Sequence, residues 1–219
     1  MKTLTPSVRT LIAMFTVALS TATSAQAATV PILAPPSVQP GAITSQTDAY
    51  VFLESTLTLD SPLAVDISAP GLYNSSSPSS AGMIPAGTEV SSFMIHRESV
   101  NQQYSFVYIT FTFAEPVLGI ITTDAGLDAT DLTLGAPGTL YPTGLEFRGL
   151  EMPYTITPDS VFWAGNQVFV AVASTTALIL DQMRVITLPT IPVPEPGSIT
   201  LSVFGALGLA AMCRRKRRK

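Results

Sequence analysis

Gln103–Phe113 reads Gln-Tyr-Ser-Phe-Val-Tyr-Ile-Thr-Phe-Thr-Phe. Aromatic and β-branched side chains stand at both alternations of this run, and such residues favour the pleated, extended backbone. Apolar groups pointing both ways predict a central strand of a sandwich with both faces covered. Val168, Val170 and Val172, alternating with Phe169 and Ala171, read the same way. Working outward, further apolar runs bounded by Gly, Pro, Ser and Asp lie at Tyr50–Leu59, Leu63–Ile67, Thr88–His96, Val117–Thr122, Thr155–Ile156, Val161–Trp163, Gln167–Ala173 and Ala177–Thr187. No segment between Tyr50 and Thr187 shows the 3.6-residue apolar period of a helix of ten or more residues. Many short strands without helices predict an all-β body at 50–187, an antiparallel β-sandwich or jelly-roll-like fold.

The flanks have a different composition. Residues 28–49 open with a proline-rich, uncharged stretch that predicts an extended lead-in. Asn74–Gly82 is polar and low in complexity, which predicts a surface loop. Residues 188–196 hold four prolines and predict a semi-rigid spacer. Residues 1–27 have the three parts of a secretory signal: Lys2 and Arg9, the apolar run Leu11–Leu19, and the small residues Ala25 and Ala27 before Ala28, where cleavage is expected. At the other end Gly197–Cys213 carries no charge, and Arg214, Arg215, Lys216, Arg217, Arg218 and Lys219 follow at once. Seventeen helical residues rise about 26 Å, slightly less than a ~30 Å hydrocarbon core, and a basic end can snorkel to make up the difference. A single transmembrane helix at 197–213 is therefore expected, with the 214–219 tail in the cytoplasm and the body outside. Gly205 and Gly208 do not have GxxxG spacing. Cys213 is the only cysteine, so the exported body contains no disulfide.

Val193-Pro194-Glu195-Pro196-Gly197, the Gly/Ala/Leu-rich segment and the arginine cluster together resemble the PEP-CTERM sorting signal. The resemblance implies handling by an exosortase-like membrane enzyme, of the kind found in Gram-negative bacteria that make extracellular polysaccharide. It also implies processing near Pro194–Pro196 and delivery to the cell surface or an extracellular polysaccharide matrix. Val90–His96, Thr110–Phe113, Pro116–Ile121, Leu134–Pro142, Arg148–Glu151, Asp159–Val161 and Asp181–Thr187 are similar to bodies often attached to this signal. That similarity implies a β-sandwich and lends no catalytic residue.

The formal charge of −4 conceals a strong asymmetry. Between the ends the only cations are Arg97, Arg148 and Arg184, set against fifteen carboxylates from Asp48 to Glu195, a formal −12 with no lysine. Such a field disfavours nucleic acid and anionic membrane surfaces and attracts cations. Asp124, Asp128 and Asp131 follow a strand in a Gly-containing stretch, where hard oxygen donors are the ligands Ca²⁺ takes, although the spacing is not that of an EF-hand. In an acidic chain three aspartates also suit a solvated turn, where their side chains form local turns and caps. His96 is the only histidine, expected in a structural bond to a neighbouring loop. Glu146, Glu151, Asp159 and Asp181 are the candidates for the facing carboxylate pair of a glycosidase. Tyr141, Tyr154 and Trp163 are candidates for a sugar-stacking platform or for core packing. Arg184 is expected to pair with Asp159 or Asp181. Gly135–Pro142 predicts a tight turn, since it lacks the P-loop lysine and a following helix. The reading is a non-enzymatic exported surface protein without a cofactor, with a carbohydrate- or Ca²⁺-binding module and a secreted glycosidase as the alternatives.

Overall fold

The computed structural model describes residues 29–100, 105–152, 159–174 and 180–190. The expected signal peptide with Ala25, Ala27 and Ala28, the strand at Thr155–Ile156, Tyr154, Val193–Pro196, the apolar segment 197–213 and the 214–219 tail lie outside the described residues. Among the described residues no helix is long and apolar enough to cross a membrane.

The chain forms β1 (Thr29–Pro31), β2 (Ala49–Thr58), β3 (Leu63–Val65), β4 (Gly71–Tyr73), β5 (Gly82–Ile84), β6 (Glu89–Arg97), β7 (Ser105–Thr112), β8 (Val117–Ile121), α1 (Asp124–Leu134), β9 (Ser160–Ala164), β10 (Gln167–Ser174) and β11 (Asp181–Thr187). A five-stranded sheet has the order β1-β2-β6-β11-β8, and a four-stranded sheet the order β4-β9-β10-β7. Pairing is antiparallel throughout except between β1 and β2. The all-β expectation holds, and β2, β3 and β6 to β11 fall where the apolar runs lie; the short β1, β4 and β5 were not among those runs.

The two sheets pack face to face. Ile95, Met183, Val185 and Ile120 of the larger sheet meet Val107, Ile109, Phe111, Val161, Trp163, Val168, Val170 and Val172 of the smaller. A second apolar layer covers the other face of the larger sheet. There Phe52, Met94, Ile121 and Ile186 pack under Leu127 and Leu134 of α1 and beside the β3–β5 ribbon. The larger sheet is thus covered on both sides, and every residue of β11 is buried.

Two expectations need correction. The first concerns β7, which is an edge strand and not a central one. Val107, Ile109 and Phe111 point inward, whereas Phe106 and Tyr108 are 37% and 47% exposed. The strand with both faces covered is β11, whose sequence Asp-Gln-Met-Arg-Val-Ile-Thr looks half polar. The second concerns α1, an eleven-residue helix where none was expected. Its buried face is Leu127, Thr130, Asp131 and Leu134, which has the spacing of a helix but only two apolar members. Thr123 caps it by accepting from Gly126 N at 3.2 Å. Gly135–Pro142 is a turn, as expected, closed by Thr139 N donating to Ala136 O, with Gly138 at φ 84°.

Candidate functional site

The three aspartates that suggested a cation loop stand on α1, and their oxygens are committed to protein donors. Asp124 accepts from Phe147 N at 3.0 Å and from Gly149 N at 2.6 Å. It holds down a loop in which Phe147 adopts a left-handed φ of 61°. Asp128 accepts from Gly144 N and from Arg148 Nη1. Asp131 takes Arg148 in a two-pronged pair at 2.7 and 2.8 Å and reaches Arg184 at 3.2 Å. Together they fasten the 143–150 loop to the helix.

Arg184 pairs with Glu54 and Asp131, which replaces the expected partners Asp159 and Asp181. Its Nε and Nη2 meet the two Glu54 oxygens at 2.6 and 2.8 Å, and both side chains are fully buried. Glu54 is inserted by a register shift between Leu53 and Ser55 where β2 pairs with β6. Such a bulge re-aims side chains: Glu54 turns toward Arg184, and Ser55 Oγ donates to Leu134 O at the end of α1. Both guanidinium groups lie over the Tyr141 ring, each 5.8 Å from its centre. Its hydroxyl donates to Glu54 and accepts from Ala136 N. Burial, followed by the Glu54 charge, pushes the Tyr141 phenol up from its ordinary value.

His96 has the structural role expected of it. Gln182 Nε2 donates to His96 Nδ1 at 2.9 Å, so the Nε2–H donates to Ile43 O at 2.9 Å and the ring is the neutral tautomer. Burial, with a smaller contribution from the Arg148 and Arg97 charges, lowers its pKa to about 4.

The carboxylates that do converge are Glu151, Asp159 and Asp181, with one oxygen of each within 4.8 Å of the others. They close one end of the sandwich. Asp181 opposes Arg97 across the β6–β11 ladder, with its oxygen 3.8 Å from Nη1. Glu151 N donates to Asp159 at 2.7 Å. Burial, and then the charges of Asp159 and Asp181, push Glu151 up to about 10, so its carboxyl is protonated at neutral pH. Glu151 also borders a groove of about 350 Å³ with Asp124 and Glu146. Three oxygen donors at this spacing are what a hard cation takes; without one, a proton relieves the repulsion. Of the four carboxylates considered for glycoside hydrolysis, three form this buried, convergent group, and Glu146 lies on the exposed rim.

Among the aromatic candidates, Trp163 is core, its Nε1 donating to Gly165 O at 3.0 Å, and Tyr141 belongs to the arginine network. The exposed rings are different ones: Phe106, Tyr108, Phe162 and Phe169 on the outer face of the smaller sheet. Sequence reading missed them because both alternations of β7 are apolar. Just after β11, Leu188 N donates to Pro116 O at 3.1 Å, beside the β9–β10 hairpin.

Fold and chain order define an all-β protein whose last described strand is followed in sequence by a sorting segment. That segment is of the PEP-CTERM kind: residues 192–218 match the family model of the PEP-CTERM protein-sorting motif. The motif implies export and membrane-associated sorting with an exosortase-type partner. No curated protein and no solved structure matches the chain.

Proposed function

We propose that this is an exported surface or extracellular-matrix protein with a non-enzymatic β-sandwich body, sorted and processed through its C-terminal segment. The observation that carries the reading is the sorting motif at 192–218, starting four residues after Leu188 docks on the body. In this reading the signal peptide carries the body across and the 197–213 segment stops transfer. The basic tail then fixes orientation, and the proline-rich spacer presents Pro194–Pro196 to an exosortase-like enzyme. The body's polar groups support a structural role: all three of its arginines and its histidine are buried in internal bonds. Mass spectrometry of the mature protein from native cells tests the reading. A C-terminus near Pro194–Pro196 is expected, and an intact Lys219 on all molecules at the cell surface overturns it.

A second reading, cation binding, is favoured by one observation: the convergence of Glu151, Asp159 and Asp181 behind the acidic groove. It moves the Ca²⁺ expectation from Asp124, Asp128 and Asp131 to a different trio. Calcium would displace the Glu151 proton, so thermal midpoints should rise with Ca²⁺ more strongly at pH 8 than at pH 6. Equal midpoints with Ca²⁺ and with chelator end this reading.

A further inference from the structure

The outer face of the four-stranded sheet carries a groove that the core does not need. In register across β9, β10 and β7, Phe162 stands beside Phe169, and Ser160, Ala171 and Tyr108 form the next row. The small Ala171 side chain, flanked by Ser160 and Tyr108, leaves a hollow of about 210 Å³, with Thr110 on its border. Tyr108, Phe162 and Phe169 rise around it, 47%, 42% and 38% exposed. The rings are splayed and do not lie flat. Phe162 and Phe169 meet at 47°, and Tyr108 is held edge-on, at 85°, by Phe106. Splayed rings form the walls of a slot, whereas a flat polymer surface would need coplanar ones. The floor is a hydrogen-bonded ladder, so the walls are held in place.

We propose that this groove is a binding site for a neutral glycan. The apolar C–H face of one sugar ring would lie against Tyr108 and Phe169, and its hydroxyls would meet those of Ser160 and Tyr108. The lining supports this choice, because aromatic faces alternate with hydroxyls as the apolar and polar edges of a sugar do. A lipid leaflet or an apolar protein face would desolvate the Ser160 and Tyr108 hydroxyls without replacing their hydrogen bonds. Area argues against a second copy. Strands ~4.8 Å apart and ~3.3 Å per residue, with eight residues in β7 and β10, five in β9 and three in β4, make a face of about 400 Å², half the ~800 Å² per partner of a stable interface. Charge argues for neutrality. The body has no lysine, and Arg97, Arg148 and Arg184 are buried, so no described residue offers an exposed lysine or arginine to a uronate or sulfate. The surface carboxylates repel acidic chains.

This inference is independent of the sorting proposal and is tested separately. The full-length chain, held in nanodiscs of zwitterionic lipid, is titrated calorimetrically with neutral gluco-, manno- and galacto-oligosaccharides and with a polyuronate oligosaccharide. Saturable binding of at least one neutral series is expected, with none of the uronate. Tyr108→Ala and Phe169→Ala should each weaken binding about tenfold. Both should still melt cooperatively, within about 5 °C of the parent, as half-exposed positions do, and Met83→Ala, on the distant ribbon, should bind like the parent. No heat from any neutral glycan, binding only of the uronate, or unchanged affinity in both groove variants overturns the proposal. So does a concentration-dependent dimer that Tyr108→Ala dissociates.

Discussion

β7 and β11 invert the usual expectation about which strand is buried. Ser-Phe-Val-Tyr-Ile-Thr-Phe-Thr is one of the most apolar runs of the body, yet it lies on a sheet edge with every second side chain facing outward and partly exposed. Asp-Gln-Met-Arg-Val-Ile-Thr carries two charges and an amide, yet it lies in mid-sheet and is buried throughout. Burial here follows from what covers each face. The four-stranded sheet has one covered face. The five-stranded sheet has two, because α1 and its loop lie over it and bring carboxylates to the arginines of the strand and the loop.

The comparison breaks first at Arg184. Replacing it with Met removes the cation between Glu54 and Asp131 and leaves the buried Glu54 carboxylate without a counter-ion, while Asp131 keeps Arg148. A loss of about 3–5 kcal/mol is expected, read as the denaturant midpoint of the full-length chain. A loss below about 1 kcal/mol would mean that the network is solvated and β11 is not the covered strand. Within β7 the same logic separates neighbours. Phe111→Ala should cost about 3–5 kcal/mol, whereas Phe106→Ser, at an outward position, should cost about 1 kcal/mol through the lost ring contact with Tyr108. Equal costs would put both faces of β7 inside.

Two buried groups give the sheets' shared end opposite pH dependences. His96 has a folded pKa of about 4 against an ordinary 6.5, so the unfolded chain binds the proton more readily. Its contribution is fully present above pH 6.5 and is lost as pH falls toward 4, by roughly 3 kcal/mol. Glu151 is raised, so its contribution is complete below about pH 4.5 and is lost as pH rises toward 10. Glu151→Gln keeps a donor facing Asp159 and needs no proton. Thermal melts at pH 9 should therefore favour the variant by several degrees, an advantage that vanishes at pH 5. A variant less stable at both values would mean that the carboxylate is ionised and paired. The smallest effect expected from the covered side is at the α1 cap. Thr123→Ala removes the acceptor for Gly126 N and the hydroxyl bond to Asp66, and should cost about 1 kcal/mol by the same denaturant midpoint.

Strand positions were legible because β-branched and aromatic runs between turn residues signal extended backbone wherever they end up. His96 was legible as structural because it is the single histidine and ends an apolar strand. The helix was not legible, since Thr130 and Asp131 occupy its inward face and satisfy Arg184 and Arg148 there. A periodicity search looks for apolar residues, and this face is half polar. Nor was the partner of Arg184, because Glu54 is 130 positions away and reaches it only through a bulge in β2.

The sequence by itself determined the order of parts: an acidic, cysteine-free run of strands followed by proline, an uncharged stretch and a block of cations. Composition and local spacing encode those features, and no distant contact is needed to read them. Only the tertiary structure decided which strand is central, which aromatics face water and which carboxylates meet. A side chain's environment is set by what packs across from it, and here those partners come from far along the chain.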